Sequence, residues 1–289
     1  MILPKSSPTS VDVAAHYDSL DRFYREIWGE HVHHGLWLTG RESVPEATRR
    51  LIGLVAEQAA LGRGSQVCDV GCGYGGTARV LANESAAIVT GLTISENQYA
   101  YAQRLTSGAD NPKYLLRNWA DNGLPDESFD AVIAIESTEH MVDKPQFFAE
   151  ARRVLRPGGR LVVCAWLARP SPSWAEIRFL LEPICRETRL PGMGSADEYR
   201  QMIVDAGLEP IAFQDLSRKV KKTWRLCIGG VLTGLLRERE YRQFLMDHTN
   251  RDRDFLWTVF RMWLAYALKT LQYGMFTASK SPVADATRP

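Results

Sequence analysis

The sequence lacks the features that mark secreted, membrane-spanning and nucleic-acid-binding proteins. Its five cysteines are an odd number and include no Cys-x-x-Cys pair, which fits a reducing compartment and not a disulfide scaffold. No uncharged apolar run reaches the roughly 18 residues that a membrane span needs, and residues 1–10 lack the apolar core of a signal peptide. The net charge of +1 provides no overall field that would attract nucleic acid. We therefore expect a cytoplasmic protein with no transmembrane segment and no nucleic-acid partner.

A glycine-rich turn between a strand pattern and a helix pattern organises the rest of the chain. Residues 66–77 read QVCDVGCGYGGT, and Gly71, Gly73 and Gly76 satisfy the G-x-G-x-x-G of a dinucleotide site. Asp69 precedes the first glycine by two residues and would repel a pyrophosphate, but it suits a ligand that carries an ammonium and a sulfonium. The turn therefore favours S-adenosylmethionine. An NAD(P)-dependent oxidoreductase and a turn without a ligand remain the alternatives.

Strand and helix patterns alternate on both sides of this turn. Such alternation predicts an α/β fold, with a Rossmann-like, mostly parallel seven-stranded sheet and helices on both faces. Because ligands of such sheets bind at the carboxyl ends of the strands, the glycine turn, Thr93, Trp119 and Glu136 are expected along one rim. The strand patterns cover residues 66–70, 86–92, 113–117, 129–135, 160–166, 210–216 and 271–278.

Segments outside the alternating pattern are expected to cover the core. Residues 1–44 read as an N-terminal helical lid whose first residues, to about 11, are disordered, and 45–170 as the cofactor-binding core. Residues 171–195 and 219–270 form a helical cap, 196–218 and 271–280 complete the sheet, and 281–289 are a disordered tail. Six tryptophans fall mostly outside the sheet pattern and indicate a cap over an apolar pocket, with ordinary core packing as the alternative. They are Trp28, Trp37, Trp174, Trp224, Trp257 and Trp263.

A group of three histidines and a run of basic residues could each indicate a binding site, but both have simpler interpretations. His31, His33 and His34 lack an accompanying Cys or Asp at a ligand spacing, so we expect no metal and assign them to packing or to a pocket wall. The basic run at 218–222 is expected to be a solvated face; contact with a phosphate-bearing acceptor or a membrane surface is the minority alternative.

The assembled motifs resemble class I S-adenosylmethionine-dependent methyltransferases. The marks are DVGCGYGG, GLTIS, LPDESFDAV and LRPGGRLVV, which together cover about residues 65–165. Further segments, from IWGEHVHHGLW to SADEYRQMIVDAGL, are similar to the tocopherol methyltransferase branch over about residues 17–224. Relatives in that branch methylate carbon, oxygen or nitrogen, so the resemblance leaves the acceptor atom open.

The resemblance implies a set of cofactor-binding positions. Asp69, Gly71 and Gly73 would hold the methionine part of S-adenosylmethionine. Thr93 stands where most class I enzymes have an acid for the ribose, with Ser95 and Gln98 nearby. Asn118 and Trp119 replace the usual adenine-flanking residues, and Trp119 could stack on adenine or be a half-buried core indole.

The segment Glu136-Ser137-Thr138-Glu139-His140 carries the candidate catalytic groups. Two carboxylates and an imidazole at the end of a strand can supply a general base near neutral pH. We expect Glu139 or His140 to be the base and Glu136 to face the cofactor, the alternative being a helix cap or an ion pair with Lys144.

The expected acceptor is a lipophilic or aromatic small molecule. A non-catalytic cofactor-binding protein remains an alternative, and the chain is either a monomer or a homodimer. The residues expected to contact the acceptor are Tyr24, Trp28, His33, Trp37, Trp166 and Trp224.

Overall fold

A seven-stranded sheet forms the centre of the computed structural model, which describes residues 1–282. The strand order is β3-β2-β1-β4-β5-β7-β6; β1 to β5 are parallel, and β7 runs antiparallel to both β5 and β6. The predicted α/β, mostly parallel, seven-stranded fold is therefore confirmed. The strands are β1 (Gln66–Val70), β2 (Ile88–Thr93), β3 (Lys113–Leu116), β4 (Phe129–Ile135), β5 (Leu155–Ala168), β6 (Glu209–Asp215) and β7 (Leu271–Ser279).

Helices connect the strands and cover the sheet. The helices of the N-terminal half are α1 (Ser10–Ser19), α2 (Asp21–Ile27), α3 (Val44–Gln58), α4 (Gly76–Glu84), α5 (Glu96–Leu105) and α6 (Lys144–Val154). Those of the C-terminal half are α7 (Trp174–Glu176), α8 (Glu182–Glu187), α9 (Ala196–Asp205), α10 (Ser217–Val220), α11 (Lys222–Arg237), α12 (Arg239–Met246) and α13 (Phe255–Ala267). A π-helical stretch (Ile177–Leu181) joins α7 to α8, and short 3-10 turns lie at Trp119–Asp121 and Thr138–His140.

Local sequence explains where several helices begin. Thr9, Ser43 and Ser195 each precede a helix and form a capping box with the acidic residue three positions later, which satisfies backbone N–H groups that the helix leaves unpaired. Buried side chains then pack on the two faces of the sheet as separate clusters, one under α3 and the C-terminal helices and one under α6 and α9. The sheet is thus covered on both sides, as parallel strands require.

One expectation about local structure is wrong. The first residues are not disordered: Ile2 exchanges backbone hydrogen bonds with Met193, and α1 begins at Ser10 on its capping box. The helical part of the expected lid consists of two helices, α1 and α2, which meet at Leu20. The expected helical cap includes α12, which is short and mostly polar. Only 281 and 282 of the expected disordered tail fall within the described residues.

Within residues 1–282, no helix is both long and apolar enough to cross a membrane. The basic run lies on α10 and the start of α11, where Lys222 donates to the carbonyl oxygen of Gly40 and sits 4.1 Å from the Trp37 ring centroid.

Candidate active site

A cavity of about 570 Å³ opens at the carboxyl ends of β1, β2 and β4. The N-terminal segment covers one side of it, through Ser7, Thr9, Val13 and Tyr17. Most of the predicted cofactor residues border it: Gly71, Gly73, Thr93, Gln98, Asn118, Trp119 and Glu136. The structure therefore brings together residues that lie on four different connections of the sheet.

The glycine turn has the backbone that a close ligand requires. Gly71, Gly73 and Gly75 all have positive φ, at 75°, 55° and 75°, a conformation that favours glycine. A Cβ added at Gly71 would overlap the side chain of Ser137, so the turn also packs directly against the residue that follows Glu136. Gly73 has no atom within 4 Å of the position of a Cβ and faces open space.

Asp69 lies beneath this turn with an unmatched oxygen. Its side chain is buried, and its Oδ2 has no hydrogen-bond partner among the described residues. Burial raises the pKa of Asp69 to about 7, because no nearby cation stabilises its charge. An orphaned buried carboxylate close to Gly73, which leaves open space, fits a cation-bearing group such as the ammonium of S-adenosylmethionine.

Hydrogen bonds connect the polar side chains that follow β2. Thr93 Oγ1 donates to Gln98 Oε1 at 2.8 Å, and both residues border the large cavity. Ser95 does not border it: its hydroxyl accepts from the Gln98 N–H and donates to Asp18 at 2.5 Å. Ser95 therefore fastens α1 to the start of α5.

Asn118 and Trp119 line the same cavity on the far side of β2. Asn118 caps the turn at Trp119–Asp121, and the Trp119 indole is buried, with its Nε1 donating to the Phe147 carbonyl at 3.1 Å. The indole is thus held rigidly while one side of it faces the cavity. That placement suits an adenine contact, which stays a prediction.

Glu136 has the most constrained side chain of the site. It follows β4 with φ at 54°, an unfavourable conformation for a residue with a Cβ. One carboxylate oxygen accepts from the His34 N–H at 2.7 Å and the Tyr273 hydroxyl at 2.8 Å, and the other accepts from Trp166 Nε1 at 2.9 Å. Burial raises its pKa, but His34 and His33 together outweigh burial and lower it below the usual value, so Glu136 is ionised. His34 Nδ1 lies 2.9 Å from the same oxygen, outside hydrogen-bonding geometry.

His140 and Tyr17 form a hydrogen-bonded pair. Their Nε2 and hydroxyl oxygen are 2.8 Å apart. Burial lowers the pKa of His140 to about 3, so its imidazole is neutral, and burial likewise raises the pKa of the Tyr17 phenol. Tyr17 was not among the predicted site residues, since an aromatic residue at helical spacing reads as core; its proximity to His140, 123 positions away, depends on how α1 docks.

The Glu139 side chain does not border the large cavity. Its carboxylate accepts from the Trp166 backbone N–H at 2.6 Å and from the Thr138 hydroxyl, and burial raises its pKa to about 8. It borders none of the cavities that we describe. Lys144 donates to backbone carbonyls of Glu139 and Met141 and not to the Glu139 carboxylate. Of the two candidates for the general base, His140 borders the large cavity and Glu139 does not.

An aromatic cavity of about 30 Å³ lies on the other side of His140. It contains four of the predicted acceptor residues and three side chains of α13. Those residues are Tyr24, Trp28, Trp166, Trp224, Phe255, Thr258 and Val259. This volume holds about one water molecule, so an acceptor ring enters only when the surrounding side chains move apart.

The other two predicted acceptor residues lie outside this cavity. His33 borders a separate space of about 30 Å³ beside Asp69 and Gly71, and Thr77 Oγ1 is 3.3 Å from its Nε2. Trp37 is buried, with its Nε1 donating to Thr223. Among residues 1–282, no group of three or more His, Cys, Asp and Glu side chains has the geometry to hold a metal ion.

This sheet, with a cavity at the rim and an acid under a glycine turn, has the architecture of a class I S-adenosylmethionine-dependent methyltransferase. The chain belongs to the family described as mycolic acid cyclopropane synthetase, whose model matches residues 5–228. S-adenosylmethionine is accordingly its cofactor, and the chain is an enzyme.

Similar proteins agree with this assignment. The 27-O-demethylrifamycin SV methyltransferase of Amycolatopsis mediterranei is 36% identical over 227 residues, 76% of this chain and 81% of that protein. The chloroplastic tocopherol O-methyltransferase of Arabidopsis thaliana is 31% identical over 242 residues, 76% of this chain and 69% of that protein, which confirms the likeness to the tocopherol branch. Among solved structures, the (4+2)-cyclase SpnF has a TM-score of 0.81 at 25% identity, covering 97% of this chain and 99% of that one. One fold can host several chemistries, so methyl transfer rests on the site and the family.

Proposed function

We propose that this enzyme transfers a methyl group to a hydroxyl group of a lipophilic or aromatic small molecule. One observation carries the proposal: His140, Tyr17 and Glu136 each border both the large cavity and the aromatic cavity. The relatives support the acceptor class, since those described above are named for a demethylrifamycin and a tocopherol. Transfer to carbon or nitrogen is the alternative.

The large cavity and Asp69 would hold the cofactor, which supplies an electrophilic methyl group. Tyr17 lies at the junction and would contact the acceptor hydroxyl. The acceptor proton passes to the Tyr17 oxygen while the Tyr17 proton moves to His140 Nε2, 2.8 Å away. Because the buried His140 imidazole is neutral, its Nε2 can take up this proton. Glu136, ionised and held by three donors, stays a fixed negative charge beside this pair.

The N-terminal segment supports this assembly as a lid. Asp18 accepts from the Ser95 hydroxyl and from the Asn97 N–H at 3.1 Å, which docks α1 against α5. Because α1 lines the cofactor cavity and also carries Tyr17, docking of residues 1–44 completes the proton-accepting pair.

The five free, buried cysteines support a cytoplasmic location.

The test is turnover with a panel of lipophilic phenols, each paired with its already methylated ether as a negative control. His140→Gln should lower kcat by about 100-fold or more, the usual worth of a general base, and leave the Kd for S-adenosylhomocysteine within about threefold. His248→Gln, which removes an exposed histidine, is the matched control and should be unaffected. Equal turnover by His140→Gln and the wild type would remove His140 from the mechanism.

A further inference from the structure

Exposed Trp and Phe side chains are confined to the helical cap. Within residues 1–282, the four exposed ones are Trp174, Phe179, Trp257 and Trp263. Trp174 is 72% exposed and Trp257 is 52% exposed. Exposed apolar side chains scattered singly are ordinary, but large aromatics concentrated in one region mark an interaction surface.

The two segments that carry these aromatics are packed together. Glu187 of α8 accepts from the Thr258 hydroxyl at 2.5 Å and lies 3.5 Å from the Arg261 guanidinium on α13. Glu176 of α7 accepts from Thr270, just after α13, at 2.9 Å. The Trp174 and Phe179 rings are in edge contact, with centroids 5.9 Å apart.

Leucines extend this surface along two neighbouring helices. On α13, Trp257, Leu264 and the following Leu268 recur at the helical spacing of one side, and all are exposed. On α11, which packs against α13, Leu232 and Leu236 are exposed at a spacing of four. We call this surface the cap face and define it by Trp174, Phe179, Leu232, Leu236, Trp257, Leu264 and Leu268.

Five of the seven residues of the cap face, all but Trp174 and Phe179, lie in a strongly basic segment of a nearly neutral chain. Residues 217–270 contain twelve Lys and Arg but five Asp and Glu, a formal charge of +7, whereas the whole chain has +1. Arg225 on α11 and Lys269 after α13 are exposed and have no ion pair among the described residues. Tryptophan and leucine side chains with unpaired arginine and lysine are the composition that binds an anionic bilayer.

The same helices reach the acceptor site with their opposite faces. Trp224 on α11 and Phe255, Thr258 and Val259 on α13 border the aromatic cavity, while Leu232, Leu236, Trp257 and Leu264 face outward. Movement of α11 and α13 would therefore act on the cap face and on the closed aromatic cavity together.

We propose that the cap face docks on an anionic lipid bilayer and that a lipophilic acceptor enters the site from it. The proposal that the cap face binds a bilayer depends only on the properties of that surface. The proposal that an acceptor enters from the bilayer rests on the proposed function. A bilayer suits both the apolar side chains and the local positive charge.

The experiment is flotation of the full chain with vesicles, without cofactor or acceptor. The wild type should bind vesicles of equal parts phosphatidylcholine and phosphatidylglycerol about tenfold more tightly than vesicles of phosphatidylcholine alone. Trp174→Ser with Trp257→Ser should weaken that binding about tenfold. The matched control is Val204→Ser with Ile211→Ser, each 51% exposed on α9 and β6, and it should leave binding unchanged.

A second pair of variants tests the charge. Arg225→Glu with Lys269→Glu should abolish the preference for phosphatidylglycerol, whereas Arg63→Glu with Lys113→Glu, exposed positions far along the chain from the cap, should preserve it. S-adenosylhomocysteine affinity, measured by calorimetry, should be the same for all variants and shows that they fold. If the wild type did not bind S-adenosylhomocysteine, that result would contradict the proposed function and not the docking.

Three results would overturn the docking. They are a wild type that binds neither vesicle, control variants that lose binding as much as the cap-face variants, and a dimer that the Trp174→Ser and Trp257→Ser pair dissociates in light scattering. The last result would make the cap face an interface between copies of this chain.

Discussion

The cofactor side and the acceptor side of the site are built by different means. The cofactor cavity is framed mainly by the turns that follow β1, β2, β3 and β4, whose residues lie in short motifs close to those strands, and the N-terminal segment covers one side of it. The aromatic cavity is framed by side chains of α2, α11 and α13 and of β5, which are far apart in the chain. Most of the cofactor cavity is thus formed locally at the rim of the sheet, whereas the aromatic cavity depends entirely on how helices pack over the sheet. We therefore expect substitutions to separate cofactor affinity from turnover.

The largest expected effect is on the cofactor side. Gly71→Ala places a Cβ against Ser137 at a positive φ, so it should weaken S-adenosylhomocysteine binding by about 100-fold or unfold the turn. Gly53→Ala, in α3 with no atom within 4 Å of a Cβ, is the control and should bind normally. Calorimetry together with thermal melting measures both effects, and normal cofactor binding by Gly71→Ala would show that the turn does not hold the ligand.

A smaller effect is expected at the junction of the two cavities. Tyr17→Phe removes the hydroxyl that contacts His140 and should lower kcat about 30-fold, while the Kd for S-adenosylhomocysteine changes by less than about threefold. Tyr99→Phe is the control, since among residues 1–282 its hydroxyl accepts a hydrogen bond from the Gln103 side chain alone, on the same helix α5. Were kcat unchanged in Tyr17→Phe, the relay through this residue would be wrong.

The smallest effect is expected at Glu139. Burial raises its pKa to about 8, so it carries a proton at neutral pH, and a glutamine can still accept from the Trp166 N–H. Glu139→Gln should therefore leave kcat within about threefold, in contrast to His140→Gln. A loss of about 100-fold in steady-state turnover would restore Glu139 as the candidate base.

The contrast between the cofactor cavity and the aromatic cavity also explains which features the sequence could predict. The strand β4 (Phe129–Ile135) has the predicted bounds because a buried parallel strand is a continuous apolar run. Asp69 and the glycines could be predicted as cofactor residues because their chemistry lies in adjacent residues. Tyr17, His34 and Tyr273 were not predicted as site residues. Each acts through a partner more than 100 positions away, a distance that no local pattern encodes. Glu139 and His140 were predicted as alternative bases from their neighbours in sequence, and only the structure shows that the Glu139 carboxylate accepts from the backbone of β5.

The central claim is that Asp69 selects a positively charged cofactor, and the pH dependence of binding tests it most directly. Burial raises the pKa of Asp69 to about 7 in the ligand-free protein, whereas a bound ammonium would keep the carboxylate ionised. Below about pH 7 the cofactor must displace a proton, so affinity for S-adenosylhomocysteine should fall up to tenfold for each unit of decreasing pH and level off above it. Asp69→Asn should bind at least tenfold more weakly at pH 8 and lose this dependence. Equal affinity of Asp69→Asn and the wild type at pH 8, with the same pH profile, would contradict the account.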